Sequence, residues 1–333
     1  MTGRIVHGGG ITAAACLYGG RPEDWLDLST GINPNPVPLP DIPVSAWHRL
    51  PDQYLVERAR EAARGYYRSG DILPLLVPGT QSVIQLLPRL APVGSVAILS
   101  PTYGEYARAF KLAGLPLNEV TEINDVTEGN DLVVVVVNPN NPDGRLLPIE
   151  RLRELHDRLQ ERGGILVVDE AFGDMEPEAS LAPHASSMPN LIIFRSFGKF
   201  FGLAGLRLGF VIAEASILAR FEDWLGPWAV SGPALSLAAC LMDGDTTAIR
   251  NRILDRRAAL DAVLHRAKLN IAGGTGLFAL VADERASDIY SYLCHHHILV
   301  RKFDYAPNWL RFGLAPDEEG DRRLAGVLEN YSI

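Results

Sequence analysis

Residues Leu132 to Val137 form an uninterrupted apolar run of one leucine followed by five valines. Valine is stiff at its branched Cβ and favours strands. A strand that is apolar at every position is typical of a parallel sheet with helices on both faces. The run therefore predicts an α/β fold in which this segment is a central strand.

The segment from about residue 72 to residue 213 repeats this pattern, with short apolar runs separated by amphipathic stretches. Such alternation is typical of a mostly parallel sheet sandwiched by helices. The predicted strands are Leu75–Val77, Val96–Leu99, Leu132–Val137, Ile165–Val168, Leu191–Phe194 and Leu208–Ile212. The predicted helices between them are Ser82–Leu90, Glu105–Ala113 and Ile149–Arg162.

The chain has 333 residues, and domains of roughly 100–200 residues predict about two of them. We expect an N-terminal arm and part of the small domain in residues 1–44, a large domain in residues 45–230, and a smaller α+β domain in residues 231–333. Five prolines between Thr30 and Pro43 make that stretch extended. The predicted elements after residue 230 are a helix Thr247–Ala267, strands Leu277–Val281, Ile298–Lys302 and Trp309–Gly313, and a helix from Asp317.

The chain is acidic, with 40 Asp and Glu against 31 Lys and Arg, a net charge of -9. Nucleic acid would be repelled on average. Residues 1–10 do not resemble a secretory signal, and no apolar run reaches the roughly 18 residues that span a bilayer. We therefore expect a cytoplasmic protein without membrane contact. The three cysteines are far apart and predict buried, reduced thiols. His295 to His297 predict a helix end or turn, since adjacent side chains diverge, and we predict no metal site.

Three segments with chemically informative side chains each follow a predicted strand, where open α/β sheets bind ligands. Residues 138–144 have the sequence Asn-Pro-Asn-Asn-Pro-Asp-Gly, which favours a ligand loop or an ordinary turn. Asp169 and Glu170 end a buried strand, where a carboxylate needs a cationic or protonated partner unless it caps a helix. Lys199 lies among Phe and Gly residues, and Arg207 follows eight residues later. A lysine there is partly desolvated, as a Schiff-base lysine needs, although a lone lysine in an apolar segment is more often a surface residue.

Together, these segments resemble the fold-type I pyridoxal-phosphate enzymes of the aspartate aminotransferase superfamily over nearly the whole chain. The resemblance implies pyridoxal 5'-phosphate as cofactor. It implies that Lys199 forms the Schiff base and later carries a proton, that Asp169 pairs with the pyridinium nitrogen, and that Asn141 donates to the ring hydroxylate. Tyr103 matches the aromatic residue that stacks on the ring. The residues implied for the cofactor phosphate are Gly79, Thr80, Gln81, Ser196 and Arg207.

Two segments near the start of the chain resemble one particular branch of the superfamily. Residues 7–9, His-Gly-Gly, and residues 26–34, Leu-Asp-Leu-Ser-Thr-Gly-Ile-Asn-Pro, look like the threonine-phosphate decarboxylases of cobalamin biosynthesis, which are close relatives of histidinol-phosphate aminotransferases. Arg311 matches the arginine that takes the substrate α-carboxylate, and Arg301 matches a second arginine of the branch that acts on phosphorylated substrates. The resemblance makes His7 a candidate ligand of the substrate phosphate and implies that Asn33 helps orient the substrate. The alternatives without a binding role are that His7 belongs to a flexible chain end and that Arg301 is a solvated charge at a strand end.

The branch implies a phosphorylated amino acid as substrate, a homodimer, and decarboxylation of L-threonine O-3-phosphate. Two alternatives remain open: an aminotransferase of the histidinol-phosphate type, and a non-catalytic protein with this fold. We expect Lys199, Arg207, Arg301 and Arg311 to make a locally positive cleft in spite of the negative net charge.

Three positions depart from the superfamily pattern. Phe172 replaces a tyrosine that donates to the ring hydroxylate, and Gly198 replaces a common serine before the lysine. Leu50 stands where relatives often place a tyrosine that reaches the partner subunit's phosphate. These departures leave Schiff-base chemistry intact but remove donors from the expected cofactor site.

Overall fold

The strands of the protein lie in two sheets, one in each of two units. The computed structural model describes residues 5–125 and 131–331. The larger unit contains Val37–Asn141 and Leu146–Thr246, and the smaller unit contains residues 5–36, Pro142–Arg145 and residues 247–331. Of the first ten residues, for which we predict no secretory signal, residues 1–4 lie outside the described part.

The strands in chain order are β1 (Leu26–Leu28), β2 (Leu75–Val77), β3 (Ser95–Leu99), β4 (Leu117–Val120), β5 (Asp131–Val137), β6 (Ile165–Asp169), β7 (Leu191–Ser196), β8 (Gly209–Ala213), β9 (Ile271–Thr275), β10 (Phe278–Ala282), β11 (Ile298–Phe303) and β12 (Ala306–Gly313). The helices are α1 (Ile11–Tyr18), α2 (Ser45–His48), α3 (Gln53–Tyr67), α4 (Thr80–Ile84), α5 (Glu105–Leu112), α6 (Ile149–Gln160), α7 (Phe197–Phe200), α8 (Ala215–Leu225), α9 (Gly232–Leu241), α10 (Thr247–Arg266), α11 (Ala286–His295) and α12 (Glu318–Glu329).

The sheet of the larger unit has the order β2-β8-β7-β6-β5-β3-β4. Strand β8 runs antiparallel to both of its neighbours, and the other neighbouring pairs are parallel. The predicted mostly parallel α/β sheet is therefore confirmed, and all six predicted strands are present. The all-valine strand β5 lies between β3 and β6, with its valines buried on both faces. The sequence analysis missed β4, an edge strand whose residues are half-buried or exposed and carry little apolar signal.

One predicted helix of this unit differs in its bounds, and several helices, among them α3, α8 and α9, were not predicted. The expected helix Ser82–Leu90 begins earlier, at Thr80, and ends at Ile84; a separate 3₁₀ turn covers Leu87–Arg89 and contains Pro88, which cannot continue an α-helix. Helix α9 was not predicted, since Ser231, Gly232 and Pro233 at its start are residues typical of a turn. The Ser231 hydroxyl instead caps the helix by accepting from the Ala234 N–H, and Pro233 suits the first turn.

The smaller unit has the sheet order β1-β11-β12-β10-β9, parallel at β1 and β11 and antiparallel elsewhere. Helices α10 and α11 pack on this sheet. The predicted α+β pattern is confirmed, and the Asp317 side chain caps α12 by accepting from the Gly320 N–H at 2.8 Å. The three histidines form the end of α11 and the turn after it, as predicted. Their rings pack against different aromatic residues, Tyr18, Tyr292 and Trp25.

Two further predictions differ from the structure. The predicted boundary at residue 230 would assign residues 232–241 to the small domain, but they form α9, which packs on α3 inside the larger unit, and that unit extends to Thr246. The three cysteines are free, but the predicted burial is wrong for Cys16 and Cys240, which are exposed; Cys294 is buried. Within residues 5–125 and 131–331, none of the helices is both long and apolar enough to cross a membrane. The same residues hold no group of three or more potential metal ligands.

A buried ion cluster lies at the centre of the larger unit. Arg195 donates to the Glu170 carboxylate at 2.7 Å and to the Asp174 carboxylate at 3.0 Å, and all three side chains are 3% exposed or less. The Arg195 guanidinium also lies 4.5 Å from the centroid of the Tyr67 ring. Ser180 and the Leu181 N–H complete the hydrogen bonds to Glu170 at 2.5 and 2.7 Å. One cation thus forms ion pairs with two carboxylates that are removed from water.

We predict that Arg195→Met destabilises the protein by about 3–5 kcal/mol, because it leaves two buried carboxylates without their cation. The measurement is the apparent melting temperature. The control Arg158→Met removes an exposed arginine of α6 and should change stability by no more than about 0.5 kcal/mol. Equal melting temperatures for the two variants would contradict this interpretation of the cluster.

Candidate active site

The carboxyl ends of the central strands are aligned by backbone hydrogen bonds beyond the strands themselves. The Asn138 N–H donates to the Asp169 carbonyl at 2.8 Å, and the Glu170 N–H donates to the Phe194 carbonyl at 2.8 Å. The loops that follow β5, β6 and β7 therefore leave the sheet at the same edge. Asn141 lies in the loop after β5, Asp169 and Ser196 end β6 and β7, and Lys199 follows in α7, so this edge holds the three segments singled out in the sequence.

Asp169 is a buried carboxylate with a donor on each oxygen. The Tyr106 hydroxyl donates to Oδ2 at 2.7 Å, and the Ala171 N–H donates to Oδ1 at 2.9 Å. Burial raises the pKa of the Asp169 carboxyl, and these two hydrogen bonds and the charge of Lys199 oppose that rise. The ionised form of this buried carboxylate would therefore be stabilised by a cation beside it. Tyr106 was missed, since a tyrosine inside a predicted amphipathic helix is typical of the core.

Lys199 lies in the short helix α7, directly after β7. Its ammonium lies 4.5 Å from the centroid of the Phe172 ring, within the range of a cation–π interaction. The departure at Phe172 thus places an aromatic face, in place of a hydroxyl donor, beside the lysine. The departure at Gly198 has a steric reason: a Cβ there would lie 2.5 Å from the Ala204 Cα.

Gly79 and Arg207 lie against each other at the same edge of the sheet. Gly79 has a φ of 75°, which favours glycine, and a Cβ there would lie 2.7 Å from Arg207 Nη2. Gly209 pairs with Ser196 across β7 and β8, and a Cβ on Gly209 would lie 2.9 Å from the Thr80 nitrogen. The residues predicted for a phosphate group are therefore brought together, with backbone N–H groups of α4 beside a guanidinium.

Tyr103 is held by a side-chain network that the sequence analysis did not find. Its hydroxyl donates to Gln81 Oε1 at 2.9 Å, and Gln81 Nε2 donates to the buried Glu105 carboxylate at 3.3 Å. Burial raises the pKa of the Tyr103 hydroxyl, which therefore stays a neutral donor. Gln81 was predicted through its backbone alone, and the structure adds a role for its amide in orienting the tyrosine.

The three asparagines of the loop after β5 have different roles. Asn138 exchanges hydrogen bonds with the Leu147 backbone, at 2.7 Å as acceptor and 3.2 Å as donor. Asn140 accepts from the Thr102 hydroxyl at 2.6 Å and donates to the Pro101 carbonyl at 2.9 Å. Asn138 and Asn140 therefore fix the loop that presents Asn141. A sequence pattern of three asparagines could not separate these tasks.

In the smaller unit, Arg301 and Arg311 face each other directly across β11 and β12. Side chains of such a cross-strand pair lie on the same face of the sheet. Burial, together with the charge of Arg301, lowers the pKa of the Arg311 guanidinium to about 10. Arg311 is 7% exposed, and it donates to the Ser29 carbonyl at 2.9 Å. Two cations held side by side favour an anion near them.

Ser29 also connects Arg311 to the His-Gly-Gly segment. The Gly9 N–H donates to Ser29 Oγ at 2.7 Å, and a Cβ on Gly8 would lie 2.3 Å from the Ser29 carbonyl oxygen. His7 is exposed and stands at the start of this segment. Asn33 is 3% exposed, and its Oδ1 accepts from the Asn35 N–H at 3.0 Å, which fixes the turn after β1. The link through Ser29 was not predicted, since the sequence gives a serine no sign of its distant partners.

We predict that Arg301→Gln stabilises the protein by about 0.2–1 kcal/mol in a buffer without polyvalent anions, because it removes a like charge beside Arg311. The melting temperature should therefore rise slightly. The same variant should gain less stability than the wild type from added inorganic phosphate. The control is Lys302→Gln on the same strand, whose ammonium lies over the Tyr290 ring. If Arg301→Gln is destabilised without anion and responds to phosphate like the wild type, the pair is not an anion site.

The chain is similar to known proteins in both sequence and fold. The family model "Aminotransferase class I and II" matches residues 26–328. The chain is 63% identical over 334 residues to a threonine-phosphate decarboxylase of Sinorhizobium sp., which covers 100% of both chains. It is 44% identical over 331 residues to a threonine-phosphate decarboxylase of Pseudomonas aeruginosa, covering 98% of both.

Among solved structures, the fold is similar to histidinol-phosphate aminotransferase from Sinorhizobium meliloti in complex with pyridoxal-5'-phosphate. The TM-score is 0.80 at 20% identity, and the match covers 99% of this chain and 96% of that one. At this identity, the likeness concerns the fold. It agrees with the predicted mostly parallel sheet flanked by helices, accompanied by a second, smaller sheet.

Proposed function

Since the chain belongs to the aminotransferase class I and II family, we propose that it is a pyridoxal-phosphate-dependent decarboxylase that converts L-threonine O-3-phosphate to (R)-1-amino-2-propanol O-2-phosphate in cobalamin biosynthesis. The observation that carries this proposal is the 63% identity, over the whole of both chains, to a threonine-phosphate decarboxylase. The adjacent Arg301 and Arg311 support it, because the substrate carries a carboxylate and a phosphate.

The residues of the larger unit fit pyridoxal phosphate at both of its charged ends. Gly79 leaves room for the Arg207 guanidinium where a Cβ would clash, next to the backbone of Thr80 and to Ser196, and this arrangement suits a phosphate group. The buried Asp169 carboxylate, with a pKa raised by burial, is stabilised by a cationic partner such as a protonated pyridine nitrogen.

We assign the remaining cofactor contacts as the resemblance implies. Lys199 is the covalent attachment point, Asn141 donates to the ring oxygen, and Tyr103 stacks on the ring. Gln81 orients Tyr103 through the hydrogen bond between the hydroxyl and Oε1. Phe172 cannot donate, so Asn141 acts there without a tyrosine partner. The Phe172 ring instead lies against the Lys199 ammonium.

When bound, the cofactor supplies an aldehyde that condenses with amines and a ring that accepts the electrons of a breaking bond at Cα. The residues decide which bond breaks. In this proposal Arg311 binds the substrate carboxylate and Arg301, His7 and Asn33 orient the rest of the substrate, with the phosphate near His7. This binding would orient the carboxylate, rather than the hydrogen on Cα, for loss. Lys199 Nζ returns a proton to Cα after carbon dioxide leaves.

We predict that purified protein loaded with pyridoxal phosphate releases carbon dioxide from L-threonine O-3-phosphate without any keto acid. Carbon dioxide and 1-amino-2-propanol phosphate are both quantified, and equal molar amounts are expected. Lys199→Ala should lose both products and the visible absorbance of the bound cofactor, because the amine that holds the cofactor is gone.

Two results would contradict this function. Formation of glutamate from 2-oxoglutarate and histidinol phosphate, with no carbon dioxide from threonine phosphate, would identify an aminotransferase. Full biological function in a strain that carries Lys199→Ala would identify a non-catalytic role.

We propose further that the protein is a homodimer. An exposed apolar patch on the larger unit supports this assembly, and it is defined by Val44, Trp47, Leu50 and Tyr54 around α2 and the start of α3, each at least 66% exposed. Contiguous apolar surface of this kind marks interaction sites. Leu50 lies in the patch, at the position that the resemblance assigns to the subunit contact. The cytoplasmic location stays a prediction.

We expect a dimer in sedimentation velocity experiments and predict that Trp47→Glu shifts it towards the monomer, because a charge in a buried interface is unfavourable. Leu112→Glu is the matched control, since Leu112 is an exposed apolar residue of α5, outside the patch. A wild-type monomer with full turnover would contradict the homodimer.

A further inference from the structure

Tyr106 and Asp169 form a wholly buried hydrogen bond whose partners are 63 residues apart in the chain. The tyrosine hydroxyl donates to Asp169 Oδ2 at 2.7 Å, and the two residues are 0% and 4% exposed. The other oxygen, Oδ1, accepts from the Ala171 N–H at 2.9 Å. Each carboxylate oxygen therefore already has one fixed donor, and the carboxylate plane is set by the protein.

The tyrosine hydroxyl cannot easily move away from this position. Tyr106 belongs to α5 and packs in the main hydrophobic core of the larger unit together with Phe110 and Val135. Its ring also meets the ring of Tyr103 edge-on, with centroids 6.3 Å apart. Tight packing on all sides holds the ring in one rotamer. The donor is thus preorganised towards Asp169.

The groups around Asp169 act in opposite directions on its charge. Burial and the neighbouring Glu170 carboxylate raise the pKa of the Asp169 carboxyl, whereas the Tyr106 hydroxyl, the Ala171 N–H and the Lys199 ammonium lower it. Among the groups that favour the carboxylate, the tyrosine hydroxyl has the largest effect. Burial raises the pKa of Tyr106 itself well above its ordinary value, so the hydroxyl stays protonated and remains a donor.

We propose that Tyr106 is a positioning residue that keeps Asp169 ionised and aimed at the ring nitrogen of the cofactor, an inference that rests on the function proposed above. The proton on that nitrogen makes the ring an effective electron acceptor, and it is retained only while its partner is a carboxylate. Tyr106 thereby acts on the cofactor through Asp169 without touching it. The stacking residue Tyr103 and this tyrosine, three positions apart, serve different parts of the same ring.

Tyr106→Phe removes one hydrogen bond to the charged carboxylate and keeps the volume of the ring. The loss of a hydrogen bond to a charged group can change an affinity by about 10- to 150-fold. We therefore expect the dissociation constant of pyridoxal phosphate to rise by about that factor. Because the carboxyl protonates more readily in the variant, its affinity should also begin to fall at a higher pH than in the wild type as the solution is acidified.

The experiment titrates cofactor-free protein with pyridoxal phosphate between pH 5 and 8 and follows visible absorbance, for Tyr106→Phe, Asp169→Asn and the double variant. Tyr67→Phe is the control, as it removes another buried tyrosine hydroxyl from the same unit, beside Arg195. We expect the double variant to bind pyridoxal phosphate with the same affinity as Asp169→Asn, because Tyr106 acts only through that carboxylate. Thermal unfolding of the cofactor-free proteins reports any purely structural loss.

Two outcomes would overturn the inference while leaving the proposed function in place. One is a Tyr106→Phe affinity and pH profile equal to those of Tyr67→Phe. The other is a loss of affinity in the double variant that equals the sum of the two single losses. A wild-type protein that binds no pyridoxal phosphate would overturn the proposed function itself, and the inference with it.

Discussion

The buried pairing of Arg195 with Glu170 and Asp174 is the interaction on which the candidate site depends. Arg195 immediately precedes Ser196 in β7, and Glu170 immediately follows Asp169 at the end of β6. Since successive side chains of a strand point to opposite faces, Arg195 anchors the strand from the face opposite Ser196. The ionic cluster therefore ties together the two strand ends that carry the carboxylate and the lysine loop, and it does so in the core.

This arrangement divides the residues around the edge of the sheet into two kinds. One kind, to which Lys199 and Asn141 belong, is proposed to contact the ligand. The other kind fixes the first: Gln81 orients Tyr103, Tyr106 orients Asp169, and backbone bonds hold the asparagine loop. Precise placement of a reacting group requires such support, because a side chain on an unsupported loop samples many rotamers.

The sequence carries local signals for the first kind of residue and almost none for the second. The apolar run of β5 and the acid at the end of β6 have strong local signals, since an all-valine strand and a buried carboxylate are both unusual. The partners of these residues have none. Tyr106 and Glu105 look like ordinary members of an amphipathic helix, and their hydrogen bonds depend on how α5 packs against strands far away in the chain. Helix α9 was not predicted for a local reason, because its Ser-Gly-Pro start is typical of a turn.

The backbone around the lysine motif leaves no space for a side chain at Gly198. The space that a side chain at residue 198 needs is taken by the backbone of Ala204, whose Cα would lie only 2.5 Å from the added Cβ. A backbone obstacle cannot be removed by changing one side chain. The serine common among relatives can therefore enter at position 198 only together with a shift of the turn at residues 203–207. Motif grafting between members of the family must transfer this stretch as a single block.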